Sequence, residues 1–198
     1  MIIGPLLRAL AVVIFCAVPA FAQGDDKTER LGVPGPISFE GQDYTLAWTS
    51  HPSADYFKQE YLPAGQSSER YTHMFILEAL TSGITPKDAA GAQIATLDKR
   101  KASDPLVFYD AIVNEASGDV ILDFLISATG QDGKLIIEWN GYRYSPHKGE
   151  KPGIVLYAIS RRAYGDDATV FITALKEWRT KTVNELANFP APAVTPQP

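Results

Sequence analysis

Five carboxylates fall inside segments whose apolar pattern predicts strands: Glu60, Glu78, Asp110, Asp123 and Glu138. A carboxylate turned into a core loses its water, its pKa rises, and it can then deliver a proton as a general acid. Asp123 lies between Leu122 and Phe124, and Glu138 between Ile137 and Trp139. That alternation belongs to a sheet with one wet face, so the expectation for both is outward and solvated. Glu60 and Asp110 are the acids that hydrolysis would require to face inward.

Other chemistry finds less support. The histidines, His51, His73 and His147, stand at no zinc-binding spacing. His73 alternates with Tyr71 and Phe75 and is expected to be packed and hydrogen-bonded; His51 and His147 adjoin prolines and are expected in solvated loops. Cys16 is the only cysteine, there is no GxSxG elbow, and the glycines form neither GxGxxG nor a GK[ST] loop. A nucleophile elbow, a nucleotide cradle and a cysteine-ligated metal therefore lack their motifs. No cofactor and no metal is expected, although a triad assembled in space needs no local motif.

The most suggestive cluster runs from Trp139 to Lys148. Tyr142, Arg143, Tyr144 and His147 are candidate binding residues, because aromatic rings interleaved with cations at a loop mouth can stack on a sugar or peptide and pair with an acidic group. The same residues also suit an ordinary strand, where tyrosine is common, followed by a soluble loop.

These residues must be positioned by an ordered set of elements. Tyr44–Trp48, Tyr56–Leu62 and Tyr71–Leu80 read as strands, the first two separated by the turn-prone His51-Pro52-Ser53. A helix follows, with Thr85 as cap, Pro86 at its first position, Asp88 in the first turn and Lys99, Arg100 and Lys101 at its end. Leu106–Asn114, Val120–Ala128, Lys134–Tyr144 and Gly153–Arg161 form an expected antiparallel meander, with Ser117-Gly118-Asp119 and Gln131-Asp132-Gly133 as tight turns. The last helix is expected over Asp167–Asn188, placing Phe171, Leu175 and Trp178 on the sheet. The order β-β-β-α-β-β-β-β-α indicates an α+β fold: a single antiparallel sheet in αβα layers.

The ends read differently. Residues 1–22 have the form of a secretory signal: Arg8, the apolar Ala9–Val18 run, and Ala20-Phe21-Ala22 at the cleavage site. The run is about half of the roughly 20 apolar residues of a spanning helix, so cleavage, not anchoring, is expected. Residues 23–36 read as a flexible leader, 37–189 as one domain, and 190–198 as a proline-rich disordered tail. The charges are 18 basic against 23 acidic, and losing Arg8 makes the balance more acidic. Such a surface repels phosphates, and nucleic acid is not an expected partner.

Phe57-Lys58-Gln59-Glu60-Tyr61-Leu62-Pro63-Ala64-Gly65-Gln66, with Tyr71-Thr72-His73-Met74, resembles an EYLPxGE…WTxM pattern of small exported proteobacterial proteins of uncharacterised function. Gln66 and Tyr71 stand where that pattern has Glu and Trp. The element order is also similar to that of PsbP/Mog1-like proteins; neither resemblance implies an activity or a functional residue. The expectation is a periplasmic or secreted, non-catalytic module that binds a protein, peptide or glycan of the envelope, with no transmembrane segment after signal cleavage. The alternative is a periplasmic hydrolase using strand carboxylates or a spatial triad.

Overall fold

Alternation along the strands sorts their apolar side chains into two sets, and each set is covered by one helix. A computed structural model describes residues 26–197; the expected signal at 1–22 lies outside them. The elements are β1 (Ile37–Phe39), β2 (Gln42–Ser53), β3 (Tyr56–Leu62), β4 (His73–Leu80), α1 (Pro86–Arg100), β5 (Phe108–Asn114), β6 (Asp119–Thr129), β7 (Leu135–Pro146), β8 (Ile154–Tyr164) and α2 (Asp167–Asn188). They form one eight-stranded sheet in the order β1-β2-β3-β4-β8-β7-β6-β5. Every neighbouring pair is antiparallel. Two four-strand meanders thus meet along β4 and β8, and α1 is the crossover that carries the chain to the far edge.

The αβα expectation holds, with β1 as an additional strand. On one face Phe75, Leu77, Ile137, Trp139 and Ile159 pack with Leu186, and Phe171, Leu175 and Trp178 of α2 lie against them. On the other, Met74, Ile76, Leu122, Phe124 and Ala158 pack with Ala89, Ala90 and Leu97 of α1. Burying both sets removes from water most of the apolar surface of a chain that, over the described residues, contains no cysteine. Local signals set the limits. Thr85 Oγ1 accepts from Asp88 N at the start of α1 (3.2 Å). Gly133, at φ +75°, turns the chain between β6 and β7, where Gly130 N donates to Lys134 O (2.8 Å).

Three expectations are corrected. β2 continues through His51-Pro52-Ser53, and the turn is Ala54-Asp55; a register shift between Ser50 and Ser53 accommodates Pro52, which cannot donate to the ladder. The described part of the leader is packed, because Leu31 and Val33 are apolar enough to enter the core. Its backbone is satisfied as well: Arg30 N donates to Gln59 Oε1 (2.7 Å), and Tyr61 OH to Val33 O (2.5 Å). The tail, too, is held. Proline lacks a donor but keeps its carbonyl, so Pro192 O accepts from Tyr157 OH (2.9 Å). Thr195 N and Gln197 N donate to Leu31 O and Arg30 O (2.8 and 2.7 Å).

Candidate functional site

On the α1 face, alternation along β3 points Tyr56, Lys58 and Glu60 the same way, and pairing sets Glu78 of β4 opposite Lys58. Lys58 Nζ lies 2.9 Å from Glu60 Oε1 and 3.9 Å from Glu78 Oε1. Tyr56 OH donates to Glu78 Oε2 (2.9 Å), and the Trp48 ring stands 6.0 Å from the ammonium. Burial pushes the Glu78 carboxyl above its ordinary range, with Lys58 and Tyr56 opposing the shift. Burial would lower Lys58, but Glu60 and Glu78 hold its ammonium charged beyond the usual range. Two of the five strand carboxylates, Glu60 and Glu78, are therefore brought together on one cation. Glu60 is inward-facing, as hydrolysis would need, whereas Asp110 is exposed on β5.

A second polar chain runs lower on this face. Ser160 Oγ donates to Asn140 Oδ1 (2.5 Å), Asn140 Nδ2 to Glu138 Oε1 (3.1 Å), and Tyr71 OH and Arg162 Nε to Glu138 Oε2 (2.9 and 2.6 Å). Glu138, expected to be solvated, is thus saturated and largely enclosed. Asp123 is likewise corrected: it is buried beneath α2, because both faces of this sheet are covered.

On the α2 face, three arginines clamp helix to sheet. Arg179 meets Asp123, which also accepts from Trp139 Nε1 (3.1 Å). Arg161 meets Glu40, donates to Thr182 Oγ1 (2.9 Å), and lies 4.3 Å from the Trp178 ring. Arg143 donates to Asp119 Oδ2 (3.0 Å), Leu186 O (3.3 Å) and Phe189 O (3.0 Å).

The predicted binding residues do not converge. Tyr142 and Tyr144 face α1, where they form edge-on aromatic contacts. Arg143 points to the opposite face. His147 Nδ1 contacts Lys151 O (2.9 Å) within the β7–β8 loop. His51 stacks on Phe57 at 4.1 Å inside β2, a correction to its loop assignment. His73 is half-buried, with Nδ1 near Thr72 Oγ1 (3.1 Å), and burial, then Arg161, lowers its pKa.

Among the described residues, no group of three or more His, Cys, Asp or Glu is arranged to hold a metal, and no helix is long and apolar enough to cross a membrane. An open depression of about 510 Å³ at the start of α2 is lined by Arg70, Lys134, Tyr164, Asp166 and Asp167 among others. It mixes both charge signs.

The outer edge of the sheet carries no local motif in the sequence. β5 is its last strand, and Phe108, Ile112 and Val113 are 43%, 53% and 43% exposed. Edge strands are ordinarily blunted by shortness, lysine, proline or a covering loop. The opposite edge, β1, has three residues and buries Ile37 and Phe39. β5 has seven residues, with no proline, no lysine and one acid, Asp110. One of its amides is met locally: Ala111 N donates to Asp110 Oδ1 (2.9 Å). The available signal was topological, since the first strand of a four-strand meander lies at the end of its run.

No curated protein and no solved structure matches the chain. A family model matches residues 31–191, from the buried Leu31 of the leader to Ala191 of the tail, and the chain belongs to that uncharacterised family.

Proposed function

We propose that the chain is an exported, non-catalytic module that binds a protein or peptide of the cell envelope by strand addition to β5. The exposed apolar edge carries this reading. Main-chain hydrogen bonds supply affinity in strand addition, while alternate side chains supply selectivity. Phe108, Ile112 and Val113 are available for that role. Export is supported by Arg8, the Ala9–Val18 run and Ala20-Phe21-Ala22. The test is capture from an envelope fraction with photo-crosslinkers at Ile112 or Val113, beside an Ile112→Lys/Val113→Lys variant. Crosslinks at β5 and loss of capture in the variant support the proposal; capture unchanged by the double substitution rejects it.

Hydrolysis is a second reading, favoured by Glu60 and Glu78 converging on Lys58 with Glu78 held towards its protonated form. It predicts turnover in a glycoside and ester substrate panel that Glu78→Gln abolishes. Turnover that survives this substitution would exclude the cluster.

A further inference from the structure

We infer that the strand β5 accepts is β5 of a second copy of this chain, paired antiparallel about a two-fold axis at Ala111. The inference rests on the strand-addition reading and names its partner.

Centring the axis on Ala111 sets Phe108 opposite the second copy's Asn114, Tyr109 opposite Val113, and Asp110 opposite Ile112, and each match recurs in reverse, as an isologous interface requires. Like charges opposite one another destabilise a strand pair. Here the one acid of β5 faces Ile112 and never itself. Tyr109 and Val113, on the α1 face, make an aromatic and β-branched pair of the kind that stabilises antiparallel strands. Ile112 and Val113, among the more exposed apolar side chains, each gain a neighbour.

The flanks agree. At the Tyr109 end, Asp98 Oδ1 accepts from Tyr109 OH (2.9 Å) and Lys101 lies over the ring at 4.3 Å. At the Asn114 end, Lys87 pairs with Glu115 (3.0 Å). The two-fold brings these ends together, so each copy offers both signs of charge to both signs in the other.

Asp110 regulates access. Its carboxylate accepts from Ala111 N, and Arg179 Nη2 stands 3.4 Å away. Pairing at Ala111 requires the carboxylate to leave that amide, and Arg179 is placed to retain it. A second copy must therefore displace a local hydrogen bond, which keeps association weak and concentration-dependent.

The test combines sedimentation velocity of the chain over a dilution series with disulfide trapping of Ala111→Cys and Asn114→Cys in a Cys16→Ser background. The expected results are a reversible dimer, its weakening by about fivefold or more in Ala111→Lys, which sets two ammonium groups opposite one another across the axis, its tightening by up to about fivefold in Asp110→Ala, and trapping at position 111 but not at 114. Circular dichroism establishes that each variant is folded. A chain that stays monomeric at its highest soluble concentration overturns self-pairing, as does a dimer trapped at 114 but not 111. In either case β5 crosslinks to an envelope protein would leave strand addition standing, whereas their absence would remove both.

Discussion

Arg179 of α2 and Asp123 of β6 meet through two hydrogen bonds, Nε to Oδ2 at 2.5 Å and Nη2 to Oδ1 at 2.9 Å. The pair ties a helix to a strand 56 residues earlier in the chain. Removing one partner of an enclosed pair leaves the other charge without compensation, and such losses are large. Asp123→Ala also strips the acceptor from Trp139 Nε1. It should cost about 3 kcal/mol in urea unfolding; a loss below about 1 kcal/mol, the range of exposed pairs, would show that the clamp is not structural.

Arg143 serves the same helix at its other end. Its guanidinium adds a charged donor to the Leu186 and Phe189 carbonyls at the helix C-terminus, beside the backbone donors Phe189 N (3.3 Å) and Ala191 N (2.8 Å). Arg143→Ala should destabilise the fold by about 2 kcal/mol, with hydrogen exchange rising first in the last turn of α2. Stability within about 0.5 kcal/mol of the parent would return Arg143 to the class of dispensable surface residues.

Two carboxylates should report on pH with opposite signs. Burial raises Asp104, but hydrogen bonds from Ser127, Arg100 and Leu106 outweigh it and hold the group below its ordinary 3.8. Its contribution is present above that value and lost as pH falls through the lower folded value. The stability gap between the parent and Asp104→Asn should therefore close on acidification. Glu78 sits above its ordinary 4.5, so its contribution is present below that value and lost as pH rises. Glu78→Gln should gain on the parent as pH rises. Urea titrations from pH 3 to 7 check both slopes, and a matching sign for the two variants would contradict the assignments.

Gly153 is required by contact. A Cβ there would lie 2.1 Å from Leu80 O and 2.8 Å from Thr81 Cα, both backbone atoms. Gly153→Ala should cost about 2–3 kcal/mol by forcing β8 away from the end of β4. An alanine variant as stable as the parent would show that this junction yields freely.

The sequence was most legible where punctuation coincides with pattern. β3 and α2 have the predicted limits, since Pro63-Ala64-Gly65 stops the first and Gly165 with Asp167 starts the second. Alternation told which side chains share a face, but not whether that face is covered. Alternation alone therefore reads Asp123 and Glu138 as solvated, although α2 and the Tyr71 loop enclose them. Tyr142 and Arg143 looked like one patch because they are adjacent, yet adjacent strand residues point to opposite faces. The exposure of β5 depends on strand order, which no local signal encodes.

Gln197 and Arg30 share a backbone hydrogen bond, as do Thr195 and Leu31. The two limits of the folded region are thus close enough to be joined by a few added residues. A circular permutant, linked there and reopened at the exposed Asp132-Gly133 turn, should retain the eight-stranded sheet. Probes fused to either limit would report from one corner of the molecule.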